Sequence, residues 1–361
     1  MAIAIFAAAW HFSDVLIRPV PRVPLESGIL VTTVDDSTIT LVGSERARKG
    51  GAWFLEWPGG SAVAGELIDA DHARVVRRFR ALDGRPAAGS GVDLGPYLFS
   101  GDPRRSLGMR FVEVSISSSF GVFPAWFVPG TRDTWVVFVH GMGAGRGESL
   151  RLLPVVTGLG FPALVTTWRN GPGAPRSKDG LYHLGASEWE DLDAAVRHAR
   201  RLGARRVVLV GYSMGGAIVA EFMRRSDLAG AVSGVVLDAP ALDWHAAVQL
   251  GANQRGRGAM LLAPLAEQVV SLRTGFRWSA SGPRAWREQF RTPAPILLFH
   301  GTADPTVPIE PSEAFARALG DRVTFVTTEG AGHVQSWNFD PERYGRTLSE
   351  WLTRTVATSS P

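Results

Sequence analysis

At 361 residues, 45% hydrophobic and 20% charged, the chain is too apolar for a disordered polymer and long enough for one large domain plus a smaller appendage. The formal net charge is only +4 and the arginines are scattered, with Lys49 and Lys178 the two lysines, so no nucleic-acid footprint is present. The absence of cysteine excludes disulfides, thiolate metal sites and a cysteine nucleophile.

Residues 1–10 (MAIAIFAAAW) are apolar but about half as long as a bilayer-spanning helix. The first basic residue is Arg18, so the basic start of a signal peptide is lacking. Three readings stay open: a buried first element, a surface helix over residues 1–17 in weak contact with a membrane, or the remnant of an export segment. The expected location is cytoplasmic, with a membrane-associated or exported protein as the alternative if this segment belongs to a targeting sequence. Short β-prone runs at 29–34, 38–42, 52–57 and 74–79, parted by Gly, Pro and Asp, make residues 1–107 read as a small β-rich accessory module.

From residue 108 to 361 the pattern is strand, loop, helix, repeated. Residues 111–116 and 122–128 form a hairpin across a Ser-rich turn, and 135–140 (WVVFVH) is a continuous apolar run suited to a strand covered on both faces. A helix over 150–159 and a strand over 163–168 follow. Residues 187–202 form a helix with Ser187 as N-cap, acids early and bases late, closed by Gly203. Strands at 206–210, 235–238, 296–300 and 323–327 alternate with helices at 214–225, 311–319 and 341–353. The alternation predicts an α/β class fold: a mostly parallel sheet with helices on both faces and the site at the carboxyl ends of the strands. Residues 245–293 break the alternation, look mainly helical, and are expected to form a lid over the pocket.

Four motifs carry chemistry. In RVVLVGYSMGG (206–216), Ser213 lies between a strand and a helix, flanked by Gly211 and Gly215, the spacing of a tight turn that lifts a hydroxyl above a sheet. His140-Gly141-Met142-Gly143 follows the strand at 135–139 and supplies a loop for an oxyanion. The expected donors are the Met142 and Met214 N–H groups, with Gly141 a weaker candidate and His140 a loop-positioning residue. Asp304 sits in HGTAD after the strand at 296–300, and His333 sits in GAGH after the last strand. The order Ser213, Asp304, His333 is nucleophile, acid, base. Asp238 and Asp243 are alternatives for the acid; His183, His198, His245 and His300 lack a comparable setting. Glu188 and Asp191 suit the helix dipole first. The sequence holds no H-x-x-x-H pattern or dense carboxylate cluster, so neither metal nor cofactor is expected.

These motifs (HGMG, GYSMG, HGTAD, GAGH) resemble the α/β-hydrolase superfamily over about residues 110–353, on the side of the esterases and lipases that shades into prolyl-oligopeptidase-like and proline-aminopeptidase-like hydrolases. The resemblance implies a mostly parallel eight-stranded sheet and a serine hydrolase that cleaves carboxylic esters through an acyl-enzyme, with Ser213 as nucleophile, His333 as base and Asp304 as acid. The expected partner is a small-molecule ester or acyl substrate, with no nucleic acid. Two other functions remain open: a peptidase or amidase, with Glu267 or Glu288 available for a substrate amine, and a non-catalytic protein that binds an acyl ligand.

Overall fold

The computed structural model describes residues 2–19, 28–96, 99 and 101–357. The start, whose alanines favour a helix, is a helix, α1 (Ala2–Ile17), rather than part of a β-rich module. Its inner stripe, Ala9, Ser13 and Ile17, is buried, whereas Ile3, Ile5, Phe6, Trp10 and Val15 are exposed.

Six strands follow: β1 (Ile29–Val34), β2 (Thr38–Val42), β3 (Trp53–Trp57), β4 (Gly60–Ala70), β5 (Arg74–Asp83) and β6 (Gly91–Gly95). They close into an antiparallel barrel in the order β1-β2-β5-β4-β3-β6. Inward residues such as Ile39, Leu41, Leu55, Val75 and Leu94 fill it, alternating with outward ones as a strand facing a core on one side must. Arg77 is an exception, wholly buried without a carboxylate. Its guanidinium donates instead to the carbonyls of Ala47, Lys49, Gly51 and Gly65, and burial pulls its pKa down to about 10.

After α2 (Pro103–Leu107) come β7 (Val112–Ser118), β8 (Gly121–Val128), β9 (Thr134–Val139), α3 (Leu153–Gly158), β10 (Ala163–Val165), α4 (Trp189–Arg201), β11 (Arg206–Tyr212), α5 (Met214–Arg225) and β12 (Val232–Asp238). Then α6 (Trp244–Gln254), α7 (Arg257–Thr274) and α8 (Pro283–Gln289) precede β13 (Ile296–Gly301), α9 (Glu310–Leu319), β14 (Val323–Thr328), α10 (Ser336–Phe339) and α11 (Pro341–Ala357). The eight strands from β7 form one sheet, β14-β13-β12-β11-β9-β10-β8-β7, antiparallel where β8 meets β7 and β10 and parallel elsewhere. Every residue of β9, β12 and β13 is buried, because helices cover both faces. One face packs against α4, α5, α8 and α9 through residues such as Leu192, Ile218, Trp286 and Phe315. The other packs against α3 and α11 through Val156, Tyr344, Leu348 and Trp351.

Three local expectations change. The helix expected over 150–159 is a 3-10 turn (Arg146–Arg151) followed by α3, with Pro154 in the first turn, where its missing N–H costs nothing. Ser187 does not cap α4; its hydroxyl bonds the His183 ring, and buried Glu188 instead accepts the His183 and Gly185 N–H groups just before the helix. The strand expected over 163–168 stops at Val165. Beyond it Arg169 turns into a buried bidentate pair with Asp191.

Between β12 and β13, helices α6 and α7 pack on each other, and α1 lies along α7. Arg273 of α7 donates to Ser13 and pairs with Asp14 at 2.8 Å, and its guanidinium lies 4.2 Å from the Trp10 ring centre.

Candidate active site

The turn from β11 into α5 places Ser213 at φ 50°, ψ −117°, a left-handed conformation that costs a non-glycine residue energy and is held by its surroundings. Its N–H donates to the Asp238 carbonyl, and its own carbonyl accepts from Gly216 and Ala241. The flanking glycines are sterically required. A Cβ on Gly215 would lie 2.2 Å from the Val139 carbonyl oxygen, and one on Gly211 would lie 2.7 Å from the Gly215 oxygen. Here the close backbone approach, read from spacing, is a measurable contact.

Ser213, His333 and Asp304 come together from the ends of three strands. The Ser213 hydroxyl lies 2.8 Å from His333 Nε2, and His333 Nδ1 lies 2.7 Å from Asp304 Oδ2. In the tautomer that satisfies both contacts, Nδ1–H donates to the carboxylate and Nε2 accepts from the hydroxyl. Asp304 Oδ1 accepts the N–H groups of Thr306 and Val307. Burial alone pushes the Asp304 carboxyl up, but hydrogen bonds from His300, His333 and the Val307 amide outweigh it and hold the carboxyl well below the usual range.

His300 was passed over in the sequence. It is wholly buried, its Nδ1 bonded to Ser312 Oγ at 2.8 Å and its Nε2 between the Val307 carbonyl at 3.1 Å and Asp304 Oδ2 at 3.3 Å. It meets the same Asp304 oxygen that His333 bonds. Of the other acids considered, Asp238 accepts from the Tyr344 hydroxyl and Asp243 caps α6 through the Ala246 N–H. His183 pairs with Asp179, and His245 pairs with Glu267 at 2.7 Å, which occupies that carboxylate.

The loop after β9 is fixed from two sides. Gly141 lies against Ser213: a Cβ there would be 3.2 Å from Ser213 Cβ. Its N–H donates to Glu148 Oε2 at 2.7 Å, and its carbonyl accepts from His140 Nδ1 at 2.9 Å. That removes Gly141 from the candidate oxyanion donors. The N–H groups of Met142 and Met214, by contrast, are bonded to no protein group among the described residues. His140 is buried and stacked on Trp168 with ring centres 4.8 Å apart, and burial pulls its pKa down to about 4, so it stays neutral.

Glu148 belongs to a buried polar cluster that sequence reasoning missed altogether. Arg151 lies 3.7 Å from it and donates to the Val334 carbonyl, next to His333, at 2.9 Å. Asp238, under Tyr344, completes the cluster beside Tyr212. Burial raises the Glu148 and Asp238 carboxyls, and Arg151 counters both. The cluster thus touches the backbone of the loop after β9 at Gly141, the Ser213 turn through Asp238, and the His333 loop at Val334. Among the described residues no group of side chains suited to a metal ion is found.

Comparisons with known proteins agree with this architecture. Residues 136–347 match the alpha/beta hydrolase family, and residues 30–95 match a domain of unknown function, the span of the barrel. No match is found among curated proteins. An esterase from Pyrococcus furiosus superposes with a TM-score of 0.55 at 19% identity, over 71% of this chain and 95% of that one. An alpha-beta hydrolase from Vibrio vulnificus superposes with a TM-score of 0.50 at 19% identity, over 68% of this chain and 80% of that one. At such identity the likeness speaks for the fold alone. The family match spans more than half of the sequence and contains Ser213, Asp304 and His333, so the chain belongs to the alpha/beta hydrolase family.

Proposed function

We propose that the protein is a serine hydrolase that cleaves small-molecule carboxylic esters through an acyl-enzyme. The observation that carries this reading is the unbroken relay from Ser213 Oγ through His333 to Asp304, with hydrogen bonds of 2.8 and 2.7 Å. His333 Nε2 takes the hydroxyl proton as Oγ attacks the ester carbonyl, and the Met142 and Met214 N–H groups receive the oxyanion, each contributing about 3 kcal/mol. As the tetrahedral intermediate collapses, the ester C–O bond breaks and the imidazolium returns its proton to the leaving alcohol. Water, deprotonated by the same histidine, then adds to the acyl-enzyme, and the acid leaves as Ser213 regains its proton. Asp304, held ionised, stabilises the imidazolium throughout.

Esterase structures among those sharing the fold are consistent with ester substrates. Helices α6 to α8 are the lid in this reading, since they follow the end of β12, where the Asp238 carbonyl accepts the Ser213 N–H. The apolar outer face of α1 is the element through which we propose weak contact with a lipid surface from the cytoplasmic side. No helix among the described residues is long and apolar enough to cross a membrane.

The test is hydrolysis of p-nitrophenyl esters from acetate to palmitate by wild type and Ser213→Ala, alongside labelling by a fluorophosphonate. Turnover and labelling that both vanish in the variant support the reading. Ester turnover that survives Ser213→Ala overturns it. Co-flotation with phospholipid vesicles that persists after Ile3→Asp/Phe6→Asp would remove α1 as the contact.

A further inference from the structure

The barrel has no residue in the relay, yet it meets the hydrolase at the segment that follows the catalytic-site histidine. Helix α10 begins three residues after His333, and its Asn338 is wholly buried. Asn338 Nδ2 donates to the carbonyls of Ala52 and Pro96, each at 2.8 Å, and its own carbonyl accepts the Ala52 N–H at 2.7 Å. Those partners flank β3 and β6 of the barrel. Phe339, the next residue, packs edge-on to Trp53 with ring centres 6.4 Å apart and joins the barrel core. Trp337 meets Phe99, just beyond the barrel, at 6.1 Å.

On the barrel side the contact is stiff. Gly51 has φ +82°, and a Cβ there would lie 2.2 Å from the Asn338 carbonyl oxygen, so the two backbones touch with no room between them. The 47–51 loop that presents Gly51 is pinned by Arg77 through three of its carbonyls. An arginine buried without a carboxylate is costly unless its donors are satisfied, and here its donors go to this loop and to Gly65. Across the histidine loop, Arg151 grips the Val334 carbonyl, and Val334 itself is held at φ 54°.

We infer that the barrel is a brace for the His333 loop: its 47–53 edge clamps α10 through Asn338 and Phe339, while Arg151 holds the Val334 carbonyl, and so fixes the distance between imidazole and nucleophile. Asn338 is a positioning residue acting through the loop, and Arg77 acts one step further out. The inference rests on the hydrolase reading for its effect on rate but not for its effect on loop order.

Two glycines of the barrel make the test. Gly51→Ala forces a methyl group into the Asn338 contact. Gly59→Ala imposes the same kind of backbone strain, at φ +93°, where nothing lies within 4 Å. A misplacement of about 1 Å near a reacting group can cost about 100-fold. Gly51→Ala is therefore expected to lower kcat for p-nitrophenyl butyrate at least about tenfold, with KM within about threefold, while Gly59→Ala leaves kcat in place. Amide hydrogen exchange over residues 331–336 should quicken in Gly51→Ala and not in Gly59→Ala. Asn338→Leu, which keeps the branched shape and removes both donors, should repeat the Gly51→Ala result. Equal kcat and equal exchange in Gly51→Ala and Gly59→Ala would overturn the brace. If the wild type hydrolyses no ester, the hydrolase reading fails by itself, and the exchange comparison still decides the brace.

Discussion

Removing the Glu148 carboxylate tests how the oxyanion loop is held. Glu148 is 3% exposed, accepts the Gly141 N–H at 2.7 Å and stands 3.7 Å from Arg151. In Glu148→Leu the Gly141 N–H loses its acceptor, at about 1–3 kcal/mol for a buried donor. Arg151 also loses an ionic neighbour, and breaking a buried pair from one side costs about 3–5 kcal/mol. The two losses share the same side chain and do not add, so a destabilisation of about 3–5 kcal/mol is expected by urea unfolding. If about 2 kcal/mol of the loop's grip is also lost in the transition state, kcat falls about 30-fold. Glu148→Gln separates the causes, because the amide keeps an acceptor oxygen for Gly141 while giving up the charge. Its kcat should stay within about fivefold of wild type, with KM nearly constant in both variants. A folded Glu148→Leu that turns over p-nitrophenyl butyrate at the wild-type rate would refute the reasoning, since the loop would then hold itself.

Three further outcomes follow from the same geometry. His140 is neutral in the fold with its pKa near 4, against about 6.5 when unfolded, so the unfolded chain binds the extra proton between these values. Stability should therefore fall as pH drops from about 6.5 to 4, by up to about 3 kcal/mol from this group, and His140→Phe should flatten that part of the unfolding profile. Asp304 is also shifted down, which for an acid is stabilising: its stabilisation is complete above the ordinary carboxylate value of about 3.9 and is lost as pH falls below it. Asp304→Asn should lose that acid dependence in thermal melts and lower kcat by about 10³–10⁴, the imidazole being left without its anionic partner. Asp191→Ala takes from the buried Arg169 guanidinium its two bonds of 2.8 Å, leaving Glu190 at 3.2 Å as its carboxylate partner, and should cost about 3 kcal/mol by urea unfolding. Unchanged midpoints in that variant would show the pair to be unimportant.

The parts of the site that were legible in the sequence are those whose chemistry dictates a local pattern. Ser213 needs glycine two residues before and two after, because backbone passes within 2.2–2.7 Å of where their Cβ atoms would be. His333 and Asp304 sit on loops directly after strand ends, so the alternation of elements placed them. The parallel strands could be read from unbroken apolar runs such as that of β9, buried at every position. What could not be read is set by tertiary approach alone. Glu148 and Arg151 lie in a 3-10 turn with no periodic signal, and their role appears only when Gly141 and Val334 arrive beside them. His300 looked like the end of a strand, and Arg77 is one of several arginines in its strand, with no local signal that sets it apart. Charged residues at buried positions are the failure of binary patterning, and three of these four cases touch the catalytic loops directly.

That failure has a common physical form. A hydroxyl, an imidazole and an oxyanion loop arriving from different strand ends must be held to a fraction of an ångström for the relay to work. Apolar packing fixes the sheet but not the peptide orientations of the loops above it. Directional bonds do that, and water must be kept from competing for them. Glu148 fixes the Gly141 N–H, His140 its carbonyl, Arg151 the Val334 carbonyl, and Asn338 the link from the histidine loop to the barrel. Each is buried, so each bond is made in a medium where leaving it unmade is expensive. The cost of burying these polar groups is thereby converted into loop geometry. On this reasoning the barrel adds a further anchor to a loop that runs between β14 and α11, both of which the sheet already holds.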